Sequence, residues 1–300
     1  MSGASIKVLL VEDNPGDTRL IEEILTEAKG TVFDLECTDR IPRARECLTG
    51  EDFDLVLLGL LLPDSQGLDT FAKIRTHAPE MPVVVLSGLN DETIAVTAVH
   101  QGAQDYLVKG QVDSNEVVRS IRYAIEWKKM EETIRKLAYF DPLTSLPNRV
   151  LFNDRLNLAL AHAHRNEQKL TVMLIDLDRF KDVNDSLGHS REAPLLKVVG
   201  VQLTHLLRQE DTIARMGGNE CLLLLPEISG IEDVDRVAHR ILEIFQKSFA
   251  IDGHELTITA CIGIAVYPEQ GPDADRLMKH ADIAMYQAKD TGRNGYQMYM

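Results

Sequence analysis

Short apolar runs alternate with stretches of helical spacing in the N-terminal part of the chain. Ile6 to Val11 is one such run; Glu12-Asp13-Asn14-Pro15 stops it, and Asp17 to Ala28 follows with helical spacing. Leu35 to Thr38 reads as a weaker strand. Phe53 to Leu62 is a second strong run, ending at Pro63-Asp64-Ser65-Gln66-Gly67. Pro82 to Leu86 is a third, ahead of Ser87-Gly88, and Ala103 to Val108 a fourth, ahead of Lys109-Gly110. Continuous apolar strands separated by helices predict a parallel sheet covered on both faces. Ligand sites in such sheets lie at the carboxyl ends of the strands, where Glu12, Asp13, Gly59, Ser87 and Lys109 all stand.

From Ser114, which suits an N-cap, to Phe140 no Pro or Gly interrupts the chain, and Glu116 adds negative charge to the first turn. Tyr123, Trp127, Met130, Ile134 and Leu137 recur at alternating spacings of four and three. That is an a/d seam of about two heptads. It leaves two readings: a helix packed on its own domain, or the stalk of a parallel dimer. Further on, Leu170 to Asp176 is a strand, and two apolar runs flank Gly217-Gly218 in Ala214 to Glu227. Gly-Gly between such runs signals a tight hairpin. With so little side chain at the turn, a nucleotide phosphate can approach the backbone.

Three hundred residues suggest two domains. The pattern places them at 1–122 and 141–300, with a helical linker over 123–140. At 44% hydrophobic with mixed charge, the composition is that of a soluble globular chain with two cores. A net charge of -15 argues against non-specific nucleic-acid or membrane binding, so an anionic ligand needs a local basic site. Cys37, Cys47, Cys221 and Cys261 have neither metal nor redox-motif spacing, which predicts reduced thiols. No run reaches membrane-spanning length, and a cytoplasmic protein is expected.

The constellation at the first domain's strand ends resembles a response-regulator receiver domain. In that family an acidic pair binds Mg2+, a third carboxylate accepts phosphate, and a hydroxyl and a lysine hold the phosphoryl group. Glu12 and Asp13 match the pair, Ser87 the hydroxyl, Lys109 the lysine, and Tyr106 the aromatic switch position. The acceptor position falls on Gly59, which has no nucleophile. Asp54 is at the other end of the same strand, and Asp64 lies past it in the loop. The resemblance implies a pseudo-receiver in which Glu12, Asp13 and Lys109 form a permanent ion-pair cluster, the domain serving as a dimerisation or partner surface.

The second domain resembles the GGDEF family, the diguanylate cyclases that condense two GTP into cyclic di-GMP. The resemblance rests on Asp141-Pro142-Leu143-Thr144-Ser145-Leu146-Pro147-Asn148-Arg149, on Asp176 to Asp185 with Gly188-His189, on Ala281 to Tyr286, and on Ala288 to Asn294. The signature hairpin reads Arg215-Met216-Gly217-Gly218-Asn219-Glu220-Cys221, with Asn219 in place of the family's acid and Cys221 in place of its Phe. The implied architecture is α/β: a flavodoxin-like doubly wound (βα)5 receiver followed by a ferredoxin-like, nucleotide-cyclase-type α+β GGDEF domain.

The resemblance assigns Asp176 and Glu220 to Mg2+, Gly217 and Gly218 to the nucleotide, and Lys181, Lys289 and Arg293 to phosphates. Asn184 is assigned to guanine. Asn219 is neutral, binds Mg2+ more weakly and takes no proton, and loss of a general base costs on the order of 10² to 10⁴ in rate. The family's second guanine contact is Ala193 here, preceded by Glu192. A methyl group leaves guanine donors without an acceptor, at about 1–3 kcal/mol. Arg208-Gln209-Glu210-Asp211, five residues before Gly217, matches the family's RxxD inhibitory site for cyclic di-GMP, with Arg240 as a supporting arginine. Three readings follow: a catalytically silent signalling protein that binds cyclic di-GMP at Arg208 and Asp211; a weak diguanylate cyclase using Asp176 and Glu220; or a ligand-free dimeric scaffold for a signalling partner.

Overall fold

The computed structural model describes residues 5–28, 30–88, 92–180, 192–251 and 253–300. These fall into two units, Met1–Thr133 and Ile134–Met300. In the first, strands β1 (Ile6–Val11), β2 (Phe33–Thr38) and β3 (Leu55–Gly59) are followed by a two-residue hairpin, β4 (Leu61–Leu62) and β5 (Ser65–Gln66), and by β6 (Val83–Ser87) and β7 (Asp105–Val108). The long strands form one parallel sheet in the order β2-β1-β3-β6-β7, the flavodoxin-like order. Helices α1 (Pro15–Thr26), α2 (Ile41–Gly50), α3 (Leu68–His77), α4 (Glu92–His100) and α5 (Ser114–Tyr139) complete the (βα)5 pattern. Asn14 starts α1 by accepting the Gly16 N–H at 2.9 Å, with Pro15 at the first helical position.

The run from Phe53 to Leu62 is not one strand. Leu55 to Leu58 are fully buried between β1 and β6, and the ladder stops at Gly59, where the chain turns into the β4–β5 hairpin. Asp54 accepts the Lys7 N–H at 2.8 Å at the strand's far end, and Asp64 accepts the Ile41 N–H at 3.2 Å where α2 begins. Neither is at the acceptor position.

Helix α5 carries two stripes. Val117, Ile121, Ala124 and Ile125 are buried against the sheet of the first unit, and Lys128, 6% exposed, is held by Glu80 at 2.8 Å and Glu131 at 3.1 Å. The seam read from the sequence lies elsewhere on the helix: Tyr123, Trp127, Met130, Ile134 and Leu137 are 60–67% exposed. The helix packs on its own unit and still presents the seam to solvent.

In the second unit, strands β8 (Lys169–Leu177), β9 (Thr212–Gly217), β10 (Glu220–Ile228), β13 (Ala260–Tyr267) and β14 (Gly295–Met298) form a sheet in the order β14-β13-β8-β10-β9. A small hairpin, β11 (Phe249–Ile251) and β12 (His254–Leu256), precedes β13. The helices are α6 (Arg149–Asn166), α7 (Glu192–Leu206), α8 (Ile231–Phe245) and α9 (Ala274–Asp290). Strand β8 alternates as a sheet covered on both faces requires. Met173, Ile175 and Leu177 pack toward α7 and α8, while Val172 and Leu174 pack toward α6 and α9. The sheet is antiparallel except at one edge, where β14 pairs parallel to β13. The reason is the connection: α9 carries the chain back across the sheet before β14 begins. Helix α9 sits hard against β13 at Gly263, where a Cβ would lie 1.9 Å from the Ala281 carbonyl oxygen and 2.2 Å from the Met285 nitrogen.

Candidate functional site

At the carboxyl ends of the first unit's strands, Lys109 Nζ lies 2.5 Å from Glu12 Oε2 and 2.9 Å from Asp17 Oδ2. The cluster expected of Glu12, Asp13 and Lys109 therefore forms with a different second acid. Asp13 is exposed, and Asp17, in the first turn of α1, supplies the carboxylate. Glu12 is buried, and its second oxygen accepts the Asn14 N–H at 3.2 Å. A Cβ on Gly59 would meet Glu12 Oε2 at 2.5 Å and the Val11 carbonyl oxygen at 3.1 Å. The protein's own carboxylate thus fills the space where an acceptor side chain would begin. Ser87 is buried at the end of β6, and its carbonyl accepts the Lys109 N–H at 2.8 Å. Burial alone would push the Lys109 ammonium down; its bonds to Glu12 and Asp17 more than reverse this and raise its pKa.

In the second unit, Asp176 near the end of β8 stands opposite Glu220 on β10 and Cys261 on β13. The two-residue loop of the signature hairpin is Gly218-Asn219, closed by the pairing of Gly217 with Glu220. Gly217 and Gly218 both have positive φ, 136° and 53°, which explains the glycines. Arg215 fixes this hairpin. Its guanidinium donates to both oxygens of Asp141 at 3.0 and 2.9 Å and to the Gly218 carbonyl at 3.2 and 2.9 Å. Burial pushes the Cys221 thiol up to about 12, so Cys221 serves as apolar filler beneath the hairpin.

Two of the polar groups here are paired from within the chain. Lys289 Nζ lies 3.0 Å from Asp176 Oδ1 and 5.3 Å from the Tyr286 ring centroid. Asn219 turns its amide to donate to the Leu177 carbonyl at 2.8 Å. A carboxylate at 219 has no proton to give, so oxygen would face oxygen there, an arrangement a cation relieves. Burial pushes the Asp176 pKa up, and the hydrogen bond and charge of Lys289 only partly offset this. Burial likewise raises Glu220, and the neighbouring Asp176 adds to it. Mg2+ wants several hard oxygen ligands. Here one carboxylate is already paired with an ammonium and the third position is an N–H donor. Among the described residues no group of three or more His, Cys, Asp or Glu could hold a metal ion. This donor set offers Mg2+ fewer free carboxylate oxygens than it prefers, with Asp176 and Glu220 the residues that would hold it.

The sequence reading missed Asp178. It is 4% exposed and accepts from Thr259 Oγ1 at 2.7 Å, Cys261 Sγ at 3.0 Å and the Asn294 N–H at 3.2 Å, with Arg293 Nε at 3.9 Å. It ties the turn after α9, where Arg293 and Asn294 have positive φ, to the end of β8. Strand periodicity was the available signal, since residues two apart share a face and Asp178 follows Asp176 by two. Arg293 itself is exposed, Ala193 falls in the first turn of α7, and Lys181 and Asn184 lie outside the described residues.

Arg208, Asp211 and Arg240 meet at one corner. Asp211 Oδ2 accepts the Arg208 N–H at 2.9 Å and the Asp211 N–H reaches the Arg208 carbonyl at 3.2 Å, closing a tight turn before β9. Arg240 Nη2 donates to the Leu206 carbonyl at 3.3 Å, two residues before Arg208. Burial raises the Asp211 pKa. A cavity of about 500 Å3 opens beside the turn, with Arg208 and Asp211 in its lining.

Residues 138–295 match the family described as diguanylate cyclase, GGDEF domain, and residues 8–122 match the response regulator receiver domain. The chain belongs to the GGDEF family and carries a receiver domain ahead of its GGDEF domain. It is 39% identical over 204 residues to the bifunctional diguanylate cyclase/cyclic di-GMP phosphodiesterase MucR of Pseudomonas aeruginosa, covering 68% of this chain and 29% of MucR. It is 27% identical over 306 residues to the response regulator PleD of Caulobacter vibrioides, covering 98% of this chain and 66% of PleD. Among solved structures, the coiled coil and GGDEF domain of DgcB from Caulobacter crescentus in complex with c-di-GMP matches at a TM-score of 0.54 and 25% identity. That match covers 61% of this chain and 97% of the DgcB chain. The chain spans 29% or less of the length of the first curated relatives it matches. Among the described residues no helix is long and apolar enough to cross a membrane.

Proposed function

We propose that the chain is a cyclic di-GMP signalling protein whose GGDEF domain is catalytically silent and receives cyclic di-GMP at Arg208 and Asp211. One observation carries the loss of catalysis: the Asn219 amide donates to the Leu177 carbonyl at 2.8 Å, where the family's carboxylate would call for a cation. The Lys289–Asp176 ion pair, at 3.0 Å, gives one of the two carboxylates a counter-charge without metal. Binding at the RxxD turn is supported by its geometry. Arginine donates bidentately to guanine O6 and N7, and the Asp211 carboxylate suits the guanine N1–H and N2–H2 donors. The likeness to a GGDEF structure solved with c-di-GMP supports the same ligand.

The receiver in this reading takes no phosphate, because Gly59 offers no nucleophile and Glu12 fills the space above it. The exposed seam of α5 supports a homodimer formed through the linker helix, which would set the spacing of two GGDEF domains. Titration calorimetry of the full chain with cyclic di-GMP tests the ligand. Binding that Arg208→Ala abolishes is the expected result; no heat, or undiminished affinity in the variant, removes the reading. Incubation with GTP and Mg2+ or Mn2+ is expected to yield no cyclic di-GMP. Product that disappears in Asp176→Ala would instead establish the weak-cyclase alternative, which the retained pairing of Asp176 with Glu220 favours.

A further inference from the structure

The cavity beside the Arg208–Asp211 turn has features the turn does not use. Its volume of about 500 Å3 lies in the range of small-molecule sites, and Leu146 and Ile213 give it an apolar wall. Two arginines line it from separate elements, Arg208 from the turn and Arg155 from α6. Arg155 Nη1 donates to Thr212 Oγ1 at 3.0 Å, a neutral partner at the first residue of β9. Among the described residues neither guanidinium is ion-paired. Asp211 is the one acid in the described lining, against two arginines and His205. In a chain of net charge -15, a hollow with two arginines to one acid favours an anion. Arg240, bonded to Leu206, is not part of it.

We propose that Arg155 binds a phosphate of the nucleotide whose base edge meets Arg208 and Asp211, so that this cavity seats one nucleotide half of the ligand. The inference rests on the proposed cyclic di-GMP reading and adds a residue to that site. One Arg155 donor is spent on Thr212, leaving the others of the guanidinium fork for phosphate oxygens. Thr212 is buried, so the bond restrains the guanidinium before the ligand arrives and less side-chain freedom is lost on binding. The apolar wall suits the face of a purine, and the half-buried Asp211 carboxylate suits its N–H edge.

Calorimetry of the full chain with cyclic di-GMP tests this. Arg155→Ala is expected to weaken binding about tenfold, the usual effect of one charge-assisted hydrogen bond. Arg155→Lys, which keeps the charge but loses the fork, is expected to fall between the two. Thr212→Val, which releases the guanidinium without changing charge, is expected to weaken binding about two- to threefold. Raising ionic strength should weaken the wild type more than Arg155→Ala, a difference that a purely structural role would not produce. Circular dichroism of each variant confirms the fold. Wild-type binding with unchanged affinity in Arg155→Ala, or an identical salt dependence of the two, overturns this inference and leaves the Arg208–Asp211 reading standing. No binding by the wild type overturns both.

Discussion

In each of the two strand-end pockets a lysine is ion-paired with an acid. In the receiver Lys109 holds Glu12 and Asp17; in the GGDEF domain Lys289 holds Asp176. The resemblance ends there. At Gly59 the missing side chain has been replaced by protein, since Glu12 Oε2 lies 2.5 Å from where a Cβ would stand. At Asn219 the residue has the size of an aspartate, and its amide makes one hydrogen bond that a carboxylate could not make. The first pocket is filled by protein at that point; the second holds an aspartate-sized side chain without its charge. A filled site resists restoration by a single substitution, whereas an exchange of amide for carboxylate at unchanged size does not.

Glu12→Gln should produce the largest effect. Removing one partner of a buried pair costs roughly 3–5 kcal/mol, and with Asp17 retained we expect about 2 kcal/mol from urea unfolding of the receiver. An unchanged midpoint would mean the lock contributes nothing. The same contrast predicts a pH window. The folded Lys109 pKa is raised above its ordinary 10.5. Its contribution is therefore complete below pH 10.5 and is lost as pH rises through the folded value, and Glu12→Gln should flatten that alkaline decline.

Next in size is Gly59→Ala, which should cost about 1–2 kcal/mol by overpacking against Glu12 and should cost less in a Glu12→Ala background, where the Val11 carbonyl oxygen at 3.1 Å is the close contact left. Additive costs in the double-variant cycle would contradict the filling of that space by Glu12. The smallest effect, of opposite sign, is expected at Glu220→Gln. Glu220 has its pKa raised above 4.5. Its favourable contribution is thus complete below pH 4.5 and is lost as pH rises through the folded value, leaving the ionised form a net cost at neutral pH. Because the residue is half exposed, we expect a gain of only a few tenths of a kcal/mol in thermal unfolding at pH 7, disappearing near pH 4. A loss of stability there would show that Glu220 has a donor it depends on.

Most of the architecture was legible because apolar runs and helical spacing are local properties. Leu55 to Leu58 announced a buried strand, and the four-and-three spacing from Tyr123 to Leu137 announced an apolar stripe, which is exposed. What the sequence hid depends on relations between distant segments. That Asp17 rather than Asp13 reaches Lys109 follows from how the Asn14 cap turns α1 away from β1. That Asn219 faces the Leu177 carbonyl follows from the register of β10 on β8. Arg155 lies on a helix, more than fifty residues before the Arg208 turn, and only the folded edge of β9 brings both to one cavity.

Gly263 bears on all of this from a distance. A single methyl there would act as a shim between α9 and the sheet, since its atoms would overlap the Ala281 and Met285 backbone. Levering α9 outward would carry Lys289 away from Asp176, and the carboxylate would then have to find its counter-charge in solution. The Lys289–Asp176 pairing is thus held by a thickness, the one-atom gap at a residue that itself bears no charge.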